Sequence, residues 1–174
     1  MPAVWRASIA ELLELAAEMD RRITPIDREL APLARSDERA RLLATIPGVG
    51  PLLSLTFAAE IGEVARFPGP GKLVGYAGLA PRVSQSGERS ATGALSKAGS
   101  RTLRWAAVEA ANQAWRPSNP WHGHYLRVSA RHGKNPAKSA VARKLLIAAW
   151  HMLSRGEPFE PPPRTLPRRA PAAF

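Results

Sequence analysis

The chain has 174 residues, 45% of them hydrophobic, and carries 25 Lys+Arg against 14 Asp+Glu for a net charge of +11. That length suits one sizeable core with extensions, and the excess of positive charge predicts a polyanionic partner, most often nucleic acid. The absence of cysteine and the scatter of the 4 histidines exclude disulfides, thiolate metal sites and a histidine ligand cluster; with no membrane-length apolar run and no signal-peptide core, a soluble intracellular protein is expected.

From Ile9 onward, apolar residues fall at Ile9, Leu12, Ala16, Met19, Ile23, Ile26, Leu30 and Leu33, steps of three and four that make a heptad seam. Pro25 and Pro32 interrupt it off the seam. An interior proline costs roughly 3 kcal/mol, so residues 1–36 read as a kinked or broken helical arm, with Thr24 capping a restart at Pro25. Such an arm either forms a coiled coil with a second copy, giving a homo-oligomer, or packs on its own domain. A helix is expected over Asp37 to Ala44, capped by Asp37 or Ser36, followed by the turn IPGVGP and the apolar helix LLSLTFAAEIG. Gly48 and Gly50 permit a tight connection, and Leu43, Ile46, Val49, Leu53, Phe57 and Ile61 would fill the space between the helices. Residues 41–62 therefore read as a helix-hairpin-helix element whose turn presents backbone N–H groups to a phosphate, or as a plain helical hairpin that touches no DNA.

FPGPGKLVGYAGLAP supplies a loop, a short helix over Lys72 to Ala77 and a stop at Gly78. Residues 81–99 then show neither helical nor strand period and are expected to form an exposed, partly mobile serine-glycine loop. Ser84, Ser86, Ser90 and Ser96 lie there with Arg82, Arg89 and Lys97, and Arg101 and Arg104 follow. A serine attacks phosphorus only when a base takes its proton and positive charge stabilises the attacked group. The arginines meet the second need, but Glu88 is the one carboxylate in the loop and no histidine is near in sequence. On residues alone, phosphate binding without chemistry is the simpler reading.

Further helices are expected from about Ser100 to Trp115, from His122 to Arg131 and from Ala137 to Leu153, with turns at PSNPW and GKNP. Trp105, Trp115, Trp121 and Trp150 sit at helical spacing among alanines and leucines, which favours the core over base stacking. The fold class is mainly α: a kinked, coiled-coil-like arm, then a compact helical domain over 37–157 holding the helix-hairpin-helix element and the basic serine-glycine loop. Residues 158–174 are rich in proline and arginine and read as a disordered tail that adds nonspecific nucleic-acid affinity or is merely solvated.

No acidic residue lies between Glu109 and Glu157, a stretch that holds Arg116, Arg127, Arg131, Lys134, Lys138, Arg143, Lys144 and Arg155. A face of one sign is explained by a phosphate backbone lying across it. Arg127 and Arg131 share a helical face, as do Lys134 and Lys138. Phosphate contacts place a duplex without reading it, so no target sequence follows.

The blocks LLATIPGVGP, FPGPGKLVGYAGLAPRVSQSGERS, GALSKAGSRTLRWA and ARKLLIAAWHMLSRGEPF together resemble the carboxy-terminal transposase domain of the IS110 (IS116, IS902) insertion-sequence family, over about 41–159. The resemblance implies DNA transposition in which the serine of the SG pair attaches to a DNA phosphate; that position is Ser86, followed by Gly87. It also implies a helical arm ahead of the domain, DNA and a guide (bridge) RNA as partners, no membrane, and a bacterial, cytoplasmic, nucleoid-associated setting. Members of the family begin with a RuvC-like domain whose acidic residues bind divalent metal. This sequence goes from Met1 almost directly into the arm, where a solvated helix face accounts for Asp20, Asp27, Glu29, Asp37 and Glu38. No metal ligand and no cofactor are therefore assigned here, and Mg2+ enters only where a separate RuvC-like acidic domain completes the site. Two readings follow. In one, the chain is the serine-bearing half of a transposase, with Arg82, Arg89, Lys97 and Arg101 holding the phosphate that Ser86 attacks, and with Gly48, Gly50, Arg104, Arg127, Arg131, Lys134 and Lys138 binding nucleic acid. In the other, it is a noncatalytic helix-hairpin-helix DNA-binding module or a vestigial fragment.

Overall fold

The computed structural model describes residues 2–86 and 89–161. The fold is mainly helical. Helix α1 (Ala3–Ser36) runs without a break through Pro25 and Pro32, where a kinked or broken arm with a restart at Pro25 is expected from sequence. Each proline removes one ladder bond, and on an exposed helix water takes up the freed carbonyl. Thr24 caps nothing; its hydroxyl donates back to the Asp20 carbonyl at 2.7 Å. The last turns of α1 dock on α2 (Glu38–Leu43) and α3 (Pro51–Ile61), where Ala34 is buried. The seam ahead of them stays open to water.

Of the two expected caps for α2, Asp37 serves. Its Oδ1 accepts the N–H groups of Arg39 at 2.8 Å and Ala40 at 3.1 Å. Partial burial pushes this carboxyl up, but the Arg39 guanidinium and the two backbone N–H groups outweigh it and hold the pKa below the ordinary 3.8. A group with a depressed folded pKa stabilises while ionised and loses that contribution as pH falls through the folded value. Asp37→Ala is therefore expected to cost about 1 kcal/mol at neutral pH. In melting curves the gap from the parent should close below pH 3.8; a gap that persists in acid would show that the cap is not the cause.

The core forms around α7 (Lys134–Arg155), which packs on α4 (Pro70–Tyr76), α5 (Arg101–Ala111), α6 (His122–His132) and α2. Alanines let these helices approach closely: Ala106, Ala107, Ala110 and Ala114 face Ala137, Ala142 and Ala149 within one buried cluster with Leu103, Leu145 and Leu146. Two expected boundaries move. Helix α5 stops at Ala111 and a single 3-10 turn carries the chain over Asn112–Trp115. Helix α7 begins at Lys134, not Ala137, because Pro136 falls in the first turn, where no donor is needed. Trp121 is buried and the Trp150 indole donates to the Phe67 carbonyl at 3.1 Å, whereas Trp105 and Trp115 are 49% and 58% exposed, so the tryptophans divide between core and surface.

Residues 81–95 differ most from the expected loop. Strand β1 (Pro81–Ser86) pairs antiparallel with β2 (Arg89–Leu95) in a two-stranded ribbon, with a register shift between Pro81 and Val83. The start of the expected tail also differs. Phe159 packs on Trp121 with ring centres 5.2 Å apart, and its N–H donates to Thr45 Oγ1 at 2.8 Å. Burial of that one aromatic ring outweighs the proline-rich composition around it. Residues 162–174, the rest of the expected tail, lie outside the described residues.

Candidate nucleic-acid interface

The ribbon hangs from a junction between α4 and α5. Ser96 N–H donates to the Ala80 carbonyl at 2.9 Å, and Lys97 N–H to that of Gly78 at 3.1 Å. Lys97 is exposed with φ 53, the one non-glycine residue with positive φ among those described, a conformation that costs about 1 kcal/mol or more. Two partners hold it there: the Gly78 carbonyl on its N–H, and Arg104 Nη1 on its carbonyl at 3.1 Å. The same nitrogen reaches the Ala77 carbonyl at 3.2 Å. Arg104, read from sequence as a nucleic-acid contact, is thus turned into the junction as a strut, while Arg101 one turn earlier is exposed. Ser100 caps α5 through Leu103 N–H at 3.0 Å and donates to Glu60 Oε2 at 2.7 Å, tying the junction to α3. Sequence reasoning missed Glu60; its one signal was the AGS triplet ahead of a helix, which marks a positive-φ glycine and a serine cap.

Ser86 closes β1 in register with Arg89, at the end of the ribbon farthest from the junction, and Arg82 sits at the register shift. Gly87 and Glu88 lie outside the described residues.

A second location is the turn before α3. Gly48 has φ 93, and a Cβ there would lie 2.7 Å from the Ala110 carbonyl oxygen, so glycine is required. Gly50 is the N-cap of α3 at φ −88 with open space around it, so the tight connection rests on Gly48 alone. Arg116, from the turn after α5, comes to the same spot.

The third location is the hairpin of α6 and α7. Arg127, Arg131 and Lys134 are exposed, and Lys138 is half-buried. His124, which the sequence did not single out, lies half-buried among them. Burial first, then the charges of Lys144, Arg127 and Arg143, push its pKa below the ordinary 6.5. Among the described residues, ion pairs occur only within α1 and between Asp37 and Arg39. The basic groups of the ribbon junction and of the α6–α7 hairpin therefore have no acidic partner there, as a surface prepared for an anion requires.

The sequence pattern of the transposase IS116/IS110/IS902 family matches residues 40–127. The chain belongs to that family. The matched stretch covers the Gly48 turn, the ribbon, its junction and the first turn of α6. Over 169 residues the chain is 30% identical to the "Insertion element IS116 uncharacterized 44.8 kDa protein" of Streptomyces clavuligerus, covering 94% of this chain and 42% of that relative. It is 31% identical over 144 residues to the "Transposase for insertion sequence element IS1111A" of Coxiella burnetii, covering 80% and 40%. With the "Pilin gene-inverting protein" of Moraxella bovis it shares 30% identity over 145 residues, covering 79% and 45%. The chain thus spans less than half the length of these relatives.

No group of three or more His, Asp or Glu side chains among the described residues could hold a metal ion, so these residues do not fit the magnesium site that the family resemblance implies. No described helix is long and apolar enough to cross a membrane.

Proposed function

We propose that this chain is the serine-bearing, DNA-binding part of a DNA transposase or recombinase. Membership of the transposase family supports this, as do the names of the relatives, which describe transposases and a gene-inverting protein. The observation that carries the mechanism is the register of Ser86 against Arg89 on a ribbon whose root holds Lys97 and Arg101 outside any ion pair among the described residues. Ser86 Oγ attacks a phosphodiester phosphorus, forming a P–Oγ ester as the bond to one deoxyribose oxygen breaks. The serine proton passes to a base, and the leaving oxygen departs as a hydroxyl. Arg89, in register with Ser86, offsets the charge that builds on the phosphoryl oxygens, while Arg82, Lys97 and Arg101, nearer the ribbon root, hold phosphates farther along the strand. Because the ester keeps the bond energy, a second hydroxyl can reverse the step and rejoin strands without an external energy source.

In this reading α2, the Gly48 turn and α3 work as a helix-hairpin-helix phosphate clamp, α1 joins copies of the chain, and a guide RNA and a RuvC-like acidic domain with Mg2+ are supplied from outside the described residues. A second reading, a noncatalytic DNA-binding module or vestigial fragment, rests on the α6–α7 hairpin, whose exposed Arg127, Arg131 and Lys134 can hold phosphates without any chemistry. The two separate in one experiment. Purified protein is mixed with supercoiled and junction DNA and magnesium, and denaturation-resistant protein–DNA adducts are sought. The proposal expects an adduct that Ser86→Ala abolishes; salt-sensitive binding with no adduct in either protein would favour the second reading.

A further inference from the structure

The turn that opens α3 borders a groove whose chemistry the serine ribbon does not use. It has a volume of about 450 Å3 and lies between Gly48 and Gly50 on one side and Gln113, Arg116, Ser118 and Asn119 on the other, in the size range of small-ligand sites. Its polar groups are unmatched. Gln113 Oε1 is sealed from solvent and accepts no hydrogen bond, although buried side-chain polar atoms are nearly always paired. Asn119 is only 8% exposed. Its Oδ1 accepts the Trp121 N–H at 3.0 Å, but no described residue accepts from its amide nitrogen. The Gly50 N–H also finds no acceptor among the described residues.

Beside these groups stands a cation on an aromatic face. The Arg116 guanidinium lies 5.7 Å from the centre of the Trp115 ring, and both residues are exposed. No Asp or Glu lines the groove. The set is several donors with a positive charge, one unmet acceptor and an open ring. A free phosphate would satisfy the donors and leave Gln113 and Trp115 unused. A duplex would bring phosphates but keep its base edges paired and its rings stacked. An unpaired nucleotide matches the groove and its rim: phosphate oxygens for Gly50, Asn119 and Arg116, a base edge for the Gln113 amide, whose Oε1 reaches the groove once the amide turns over, and a ring face for the neighbouring Trp115.

We propose that the groove between the Gly48 turn and the Gln113–Asn119 turn binds an unpaired nucleotide of a nucleic-acid strand. The site rests on the reading of the chain as a nucleic-acid binder and does not depend on Ser86. Its test uses the full chain and labelled oligonucleotides in three arms: single-stranded DNA, single-stranded RNA of the same sequence, and duplex DNA, each titrated by fluorescence anisotropy over a range of salt. Two variants are compared with the parent. Trp115→Ala removes an exposed ring, and Gln113→Leu removes an unpaired polar atom, so neither threatens the fold.

Each variant is expected to weaken single-strand binding roughly fivefold to tenfold, with duplex affinity and its salt slope unchanged. The single-stranded arm that loses affinity identifies the strand as DNA or RNA. Variants that bind single strands as tightly as the parent, or that lose duplex and single-strand binding in equal proportion, overturn the site. A parent chain that binds duplex but no single strand overturns it alone, whereas a parent that binds neither overturns the nucleic-acid reading as well.

Discussion

Gly99→Ala is expected to lower the midpoint of thermal unfolding by roughly 10 °C, from about 3 kcal/mol of combined strain and overlap. Gly99 has φ 101, and a Cβ built there would run into the backbone carbonyl of Tyr76. Neither side can yield easily. The Tyr76 carbonyl accepts the Ser100 N–H at 2.7 Å, and the Tyr76 ring packs on Phe67 with centres 5.3 Å apart. Ser100 in turn is fixed by Glu60 and by its cap on α5. Because Ser96 and Lys97 hang the ribbon from this junction, the substitution should also displace Ser86 and reduce any adduct it forms. Gly123→Ala is the control: nothing lies within 4 Å of a Cβ there, and its φ is not positive. Alanine in that helix should be neutral or stabilising by up to about 1 kcal/mol. Equal melting of the two variants would mean that the Gly99 junction is not the tight contact described.

What the sequence disclosed and what it concealed divide along the range of the interactions involved. The Asp37 cap and the restart of a helix at Ser100 are side-chain or backbone events within a few residues, and local composition announces them. The ribbon is held by backbone bonds between segments that local pattern does not connect. Its strands carry serines, glycines and alanines with no alternation to signal a buried face, so the Gly78 and Ala80 carbonyls that anchor it could not be anticipated. The strut role of Arg104 was hidden for the same reason. An arginine beside a serine-rich segment suggests a phosphate ligand, but the return of the ribbon to the end of α4 brings the Ala77 and Lys97 carbonyls to its Nη1. The prolines of α1 err the other way: proline's cost was legible, but the neighbouring turns of an exposed 34-residue helix carry it. Of the candidate site, the basic residues and Gly48 were visible, whereas Gln113 and Asn119 matter only because a turn closes over them.

Charge placed on the α1 seam is expected to abolish self-association. Ile9, Leu12, Met19, Ile23 and Ile26 remain 43%, 65%, 41%, 50% and 56% exposed in the single chain, and Leu13 and Leu15 widen the stripe where Ala16 would thin it. At about 25 cal/mol per Å2, water contact on that many large side chains costs several kcal/mol. A second α1 laid along the seam removes it, as heptad spacing allows. Removing the whole arm is the blunter test, because Ala34 and the last turns of α1 are packed on α2 and α3 and their loss would uncover the domain. Leu12→Glu with Ile23→Glu spares that contact: both positions are exposed, so the monomer keeps its fold, and in an assembly each introduced carboxylate would be buried without a partner. Sedimentation equilibrium should then show an oligomer for the parent and a monomer for the double variant. A parent already monomeric, or a variant that sediments like an oligomeric parent, would rule out the seam as the joining surface, and α1 would have to find its apolar partner elsewhere.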